Sequence, residues 1–104
     1  MNRQDSFALL YAQACLSEMR RDPGRVLGIA KRNLALLTAN GIGHHSYVNQ
    51  WLSLLEQGGE NLFTTVLAAT DEGQALRSTA PFAGVLSQEV VRNIRRAAKE
   101  MVAI

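Results

Sequence analysis

With 104 residues and 47% hydrophobic content, the chain is long and apolar enough to bury a core, which excludes a disordered tail. A single cysteine, Cys15, excludes an internal disulfide, and no apolar run approaches the ~20 residues that span a bilayer. The net charge of +2 is too small to point to a nucleic-acid partner by itself.

The first helix is expected over about residues 5–20, a stretch of good helix formers with apolar residues at Phe7, Leu10, Tyr11 and Ala14 and a cap from Asp5 or Ser6. Asp5 and Gln13 interrupt this opening, so it does not read as a secretory leader, and the expected location is cytoplasmic. Asp22-Pro23 opens the second helix, because the Asp side chain accepts from exposed N–H groups and Pro loses nothing at the first position. Its core face is Val26, Leu27, Ala30, Leu34 and Leu37, and Asn40-Gly41 stops it. Residues 41–45 read as a turn. Ser46 is then the expected cap of a third helix with the stripe Val48, Trp51, Leu52 and Leu55. Trp51 and the Leu54-Leu55 pair read as core, with a subunit contact the alternative for Tyr47 and Leu54, which fall off the stripe.

Gly58-Gly59 ends that helix. A fourth is expected over about 60–70 on Leu62, Phe63, Val66 and Leu67, and a short fifth over about 72–79, capped by Asp71 and stopped by Pro81. The sixth is the clearest. Ser87 is its cap, Glu89 suits the positive helix end, and Leu86 with Val91 has the spacing of a hydrophobic staple. Val90, Ile94, Ala97 and Met101 form its expected apolar face, with Arg92, Arg95, Arg96 and Lys99 opposite. The fold class is therefore all-α, one helical domain over residues 1–104 with five to six short helices in an orthogonal bundle. A two-helix hairpin docked on a four-helix unit is the alternative.

Charge is unevenly spread. Arg20, Arg21, Arg25, Lys31 and Arg32 form one basic stretch and Arg92, Arg95, Arg96 and Lys99 another, while residues 33–76 hold no Lys or Arg. If the two stretches met, they would make a positive patch. Between the fifth and sixth helices lies the apolar segment Pro81-Phe82-Ala83-Gly84-Val85-Leu86. It reads either as a buried corner or as an outward anchor in which Phe82, Val85 and Leu86 meet a partner.

The segments VLGIAKRNLALL, WLSLLEQG and LRSTAPFAGVLSQE, within residues 26–96, resemble a group of short bacterial proteins. These combine a W-x-x-L-L segment with an L-R-x-x-x-P-F-A-G-V-L segment. The resemblance implies the antitoxin or regulatory half of a two-gene system, and hence a partner protein such as a toxin. It brings no assigned catalytic or binding residues.

Chemistry-bearing constellations are sparse. His44-His45 lack the spaced companions of a metal site, Cys15 sits in an apolar helix, and the glycine pairs end helices without forming phosphate-loop motifs. The expectation is no enzyme, no metal and no cofactor. The expected function is binding another protein through the apolar anchor and through Arg92, Arg95, Arg96 and Lys99. The alternative is a small DNA-binding regulator, dimeric in its binding form, whose last helix presents Gln88, Arg92, Asn93, Arg95, Arg96 and Lys99 to the duplex.

Overall fold

The computed structural model describes residues 3–39 and 45–102. Among them the chain forms six helices and no strand: α1 (Arg3–Arg21), α2 (Pro23–Ala39), α3 (His45–Gln57), α4 (Gly59–Leu67), α5 (Asp71–Ser78) and α6 (Gln88–Val102). This is the all-α bundle the hydrophobic periodicity predicts. Of the turn expected over residues 41–45, residues 41–44 lie outside the described residues, and His45 is the first residue of α3.

Helix α1 is the axis of the bundle and packs against α2, α4, α5 and α6. Being covered from several sides, it buries a wider arc than a surface helix does. Ala12, Cys15, Leu16 and Met19 enter the main core, whereas the expected stripe of Phe7, Leu10, Tyr11 and Ala14 is only half-buried. The core is continuous: these α1 residues meet Val26, Ala30 and Leu34 of α2, Val48, Trp51, Leu54 and Leu55 of α3, Leu62, Phe63 and Val66 of α4, and Leu76 of α5. Leu54 is therefore a core residue, the first of the two readings its position allows.

The helix ends follow local hydrogen-bond chemistry, with two corrections. Asp22 caps α2 as expected: its carboxylate accepts from Arg25 N–H at 3.4 Å and its carbonyl from Val26 N–H at 3.3 Å. Helix α3 begins at His45, so Ser46 lies inside the helix and is not its cap. The cap of α5 is Thr70, whose hydroxyl accepts from Gly73 N–H at 3.0 Å, and Asp71 is the first helical residue. There its carboxylate still complements the helix's positive end.

The tight joint between α4 and α5 depends on Gly73 and Arg77. A Cβ built on Gly73 would stand 2.4 Å from the Ala68 carbonyl oxygen, so only glycine lets α5 come this close. The buried Arg77 guanidinium donates from Nη1 to the carbonyls of Val66 and Ala68, both at 2.8 Å. Those are end carbonyls of α4, which lack partners within their own helix and carry its negative dipole end.

The segment from Thr79 to Ser87 is a buried corner. Phe82 is fully enclosed and meets Trp51 edge-on, Pro81 and Val85 are also buried, and Gly84 adopts a positive φ of 95° that most residues resist. Two helices, α1 and α2, hold its backbone. Tyr11 donates its hydroxyl to the Phe82 carbonyl at 3.1 Å, and Asn33 Nδ2 donates to those of Pro81 and Ala83 at 2.9 and 3.0 Å. Arg25 Nη2 reaches the Val85 carbonyl at 3.2 Å. Phe82 and Val85 thus do not project outward, and the anchor reading of these two residues is corrected. A flexible apolar loop would leave these carbonyls unpaired, and the corner is apolar because it is part of the core.

Candidate partner-binding groove

From Val85, which Arg25 holds near one end of α1, the chain turns at Ser87 and runs back along α1 toward Phe7 as α6. Ser87 accepts through its hydroxyl from Val90 N–H at 3.3 Å and through its carbonyl from Val91 N–H at 3.0 Å. It is the expected cap. Among the described residues α6 packs chiefly on α1, and any contact it makes with α5 is slight. A helix-turn-helix would need those two helices joined by a turn of three or four residues, whereas a nine-residue corner separates them here.

This one-sided support rotates α6 from its expected register. Ala98 is buried and Val91 and Ile94 are half-buried, so the contact face is Val91, Ile94 and Ala98. Val90 and Met101 are 40% and 48% exposed, and Ala97 is exposed as well. The apolar arc of α6 is wider than the α1 surface that covers it, and periodicity alone could not tell which half would be covered.

The opposite side is basic and open to solvent. Gln88, Arg92, Asn93, Arg95, Arg96 and Lys99 are all exposed, and none of the four cations joins an ion pair among the described residues. Arg95 alone has a close ring contact, lying over Phe7 with its guanidinium carbon 5.2 Å from the centroid. Phe7 in turn stands 5.6 Å from the Tyr11 ring, so a cation and two aromatic rings form a row ending at the buried corner.

The first basic stretch behaves differently. Arg20 lies over Phe63 at 4.1 Å and faces Glu60 at 3.7 Å. Arg21 and Arg25 both bind Glu18, at 2.7 and 3.1 Å, and Arg25 also faces Asp22 at 3.8 Å. The hydrogen bond from Arg21, together with Arg25, holds the Glu18 carboxyl below its ordinary range. Arg20 and Phe7 are about 20 Å apart along α1 at ~1.5 Å per residue. Arg20, Arg21 and Arg25 are thus engaged in structural contacts, whereas Lys31 and Arg32 of α2, like the four cations of α6, are exposed and in no ion pair among the described residues.

Between the first half of α1, helix α5, the corner and α6 lies a groove of about 1100 Å³. Its apolar surface includes Phe7, Ala8, Tyr11, Ala75, Leu86 and Val91. Leu86 and Val91, the expected staple pair, both contribute, so Leu86 is the one residue of the expected anchor that borders an open surface. Sequence reasoning assigned Phe7 and Tyr11 to the core and gave Ala75 no role. They enter the groove because α6 covers α1 incompletely, a tertiary fact with no local signal.

Of the pair His44-His45, His44 lies outside the described residues. Cys15 is buried, and desolvation pushes its thiol up to about 12, so it is not a thiolate at neutral pH. Among the described residues no three His, Cys, Asp or Glu side chains cluster as metal ligands would. No described helix is long and apolar enough to cross a membrane. No known family matches the chain, and neither curated proteins nor solved structures yield a significant match.

Proposed function

We propose that this chain is a non-catalytic binding protein, antitoxin-like or regulatory, that docks another protein on the surface formed by α6 and the adjoining groove. The observation that carries this reading is the state of α6. Its cations Arg92, Arg95, Arg96 and Lys99 are exposed and lie outside every ion pair among the described residues, whereas Arg20, Arg21 and Arg25 all have acidic partners. Lys31 and Arg32 of α2 are likewise exposed and in no such ion pair, but only the α6 cations stand four together beside the groove. Four cations close together repel one another, a cost that an acidic partner would relieve. The groove beside them supplies the apolar contact area that gives such an interface its affinity.

A protein contact is favoured over DNA by the combination of cations with a groove that is partly apolar, at Phe7, Tyr11, Leu86 and Val91, a surface which phosphates do not need. The test is capture from the native cell with the tagged wild-type chain and with a variant carrying Arg92→Glu, Arg95→Glu, Arg96→Glu and Lys99→Glu. One protein held by the wild type through a high-salt wash, and lost from the variant, is the expected result. Nucleic acid released by salt, with no protein retained, would replace this reading with DNA binding.

A further inference from the structure

We propose that the groove between α1, α5 and α6 receives an acidic amphipathic helix of the partner protein, its apolar face on Tyr11, Leu86 and Val91 and its carboxylates on Arg92 and Arg95. The inference rests on α6 being the docking surface and adds what is docked there.

The charges bordering the groove select the sign of the ligand. They are Arg77, Arg92 and Arg95 against Asp5 and Asp71. Arg77 is committed through Nη1 to the end carbonyls of α4, and Asp5 accepts from Gln74 Nε2 at 2.9 Å. Asp71 sits in the first turn of α5, where the helix dipole already opposes its charge. On the α6 wall the exposed charges are Arg92 and Arg95, both positive. A ligand carboxylate beside either can take two parallel N–H bonds from one guanidinium.

The shape selects a helix. Every described wall is helical or belongs to the buried corner, so an extended peptide finds no sheet edge to join, and helix-in-groove docking is the mode such a surface offers. A helix about 10–12 Å wide rising ~1.5 Å per residue occupies on the order of 140 Å³ per residue, so the groove takes about eight residues, roughly two turns. Ala8 and Ala75 leave depth for a large apolar side chain at one position. Leu86 and Val91 offer a second apolar contact on the opposite side of the lining.

The test is a display selection against the full chain, using a library of 12-residue helices with randomised apolar residues at positions i, i+3, i+4 and i+7. The remaining positions are biased acidic in one half of the library and basic in the other. Acidic clones should enrich, bind saturably and weaken at least tenfold against Arg92→Glu/Arg95→Glu. They should also be blocked by Ser78→Trp, which fills the groove from an exposed position whose hydroxyl bonds only within α5. Thermal melts of both variants establish that they fold. Enrichment of basic clones, of none, or of clones that bind Ser78→Trp unchanged would overturn the proposal. Capture from the native cell separates the two levels. A partner lost by reversing the α6 charges but kept by Ser78→Trp would sink the groove while leaving the α6 surface standing.

Discussion

The Phe82 ring stands edge-on to Trp51, with centroids 5.3 Å apart and planes at 84°, and both side chains are wholly buried. Such a pair contributes about 0.5–1.5 kcal/mol beyond the area it removes from water. Trp51 is fixed from its other side by Thr79, whose hydroxyl accepts from the indole Nε1 at 3.2 Å. The corner after α5 is thereby tied to the middle of α3. Phe82→Ala should cost about 3–5 kcal/mol, as large-to-small changes in a packed core do. Denaturant unfolding followed by the fluorescence of Trp51, the single tryptophan, measures it directly. A variant that unfolds like wild type yet loses its partner would return Phe82 to the role of outward anchor.

Asn33 makes the same corner depend on α2. Its Nδ2 is the shared donor for two carbonyls that the loop itself cannot satisfy, those of Pro81 and Ala83. Asn33→Asp removes the donor and turns a carboxylate oxygen toward two carbonyl oxygens. The expected cost is about 1–3 kcal/mol, the usual range for polar groups left without partners. Amide hydrogen exchange should localise the damage: the Val85 N–H, which closes the turn on the Phe82 carbonyl at 3.0 Å, should exchange faster while α3 and α4 amides keep their protection. Uniform loss of protection would mean that Asn33 supports the whole bundle and not the corner.

These two residues mark how far the sequence could be read. The apolar spacing of Val26, Ala30 and Leu34, or of Leu62, Phe63 and Val66, places each face correctly because the other side of each helix stays exposed, at Lys31, Arg32 and Ala35 and at Glu60, Asn61 and Thr64. On α1 and α6 the same reasoning misplaces the face. The first is packed by four neighbours, and the second has an apolar arc broader than its one main partner. Asn33 and Arg77 were invisible for a different reason. Their acceptors are backbone carbonyls, which every residue carries, so nothing in the composition marks where a donor must stand. The basic face of α6 was legible because charge opposite an apolar stripe is itself a periodic signal. The groove beside it was not, because it is defined by what α6 fails to cover.

Two glycines should respond to alanine with opposite signs. At Gly73 the new methyl would stand 2.4 Å from the Ala68 carbonyl oxygen and 3.1 Å from Arg77 Nη1, and backbone cannot step aside as a flexible side chain can. Gly73→Ala should therefore destabilise, by about 1–3 kcal/mol as overpacking does, and should loosen the Arg77 bonds to α4. Gly28 lies in mid-α2 with nothing within 4 Å of a built Cβ. Gly28→Ala should stabilise by about 0.5–1 kcal/mol, the ordinary gain of alanine over glycine in a helix. Melting temperatures of the two variants, compared under one set of conditions, test the sign of each.

Cys15 supplies a chemical probe of the same core. Burial raises its thiol to about 12, with the Glu18 charge adding to the rise. A thiol raised on folding is a group whose neutral form the native state prefers. Its contribution to stability is fully present below the unfolded value, 9.0, and is lost as pH climbs from there toward 12. Native protein should accordingly resist alkylation by iodoacetamide at pH 8, and the rate should rise with denaturant in step with global unfolding, because the reagent needs both a thiolate and access. Cys15→Ala should keep the fold at neutral pH and flatten the decline in stability above pH 9. Rapid labelling of the native chain at pH 8, with no change in its melting temperature, would mean that α1 opens locally beside Tyr11 and that the groove reaches deeper into the bundle than its walls suggest.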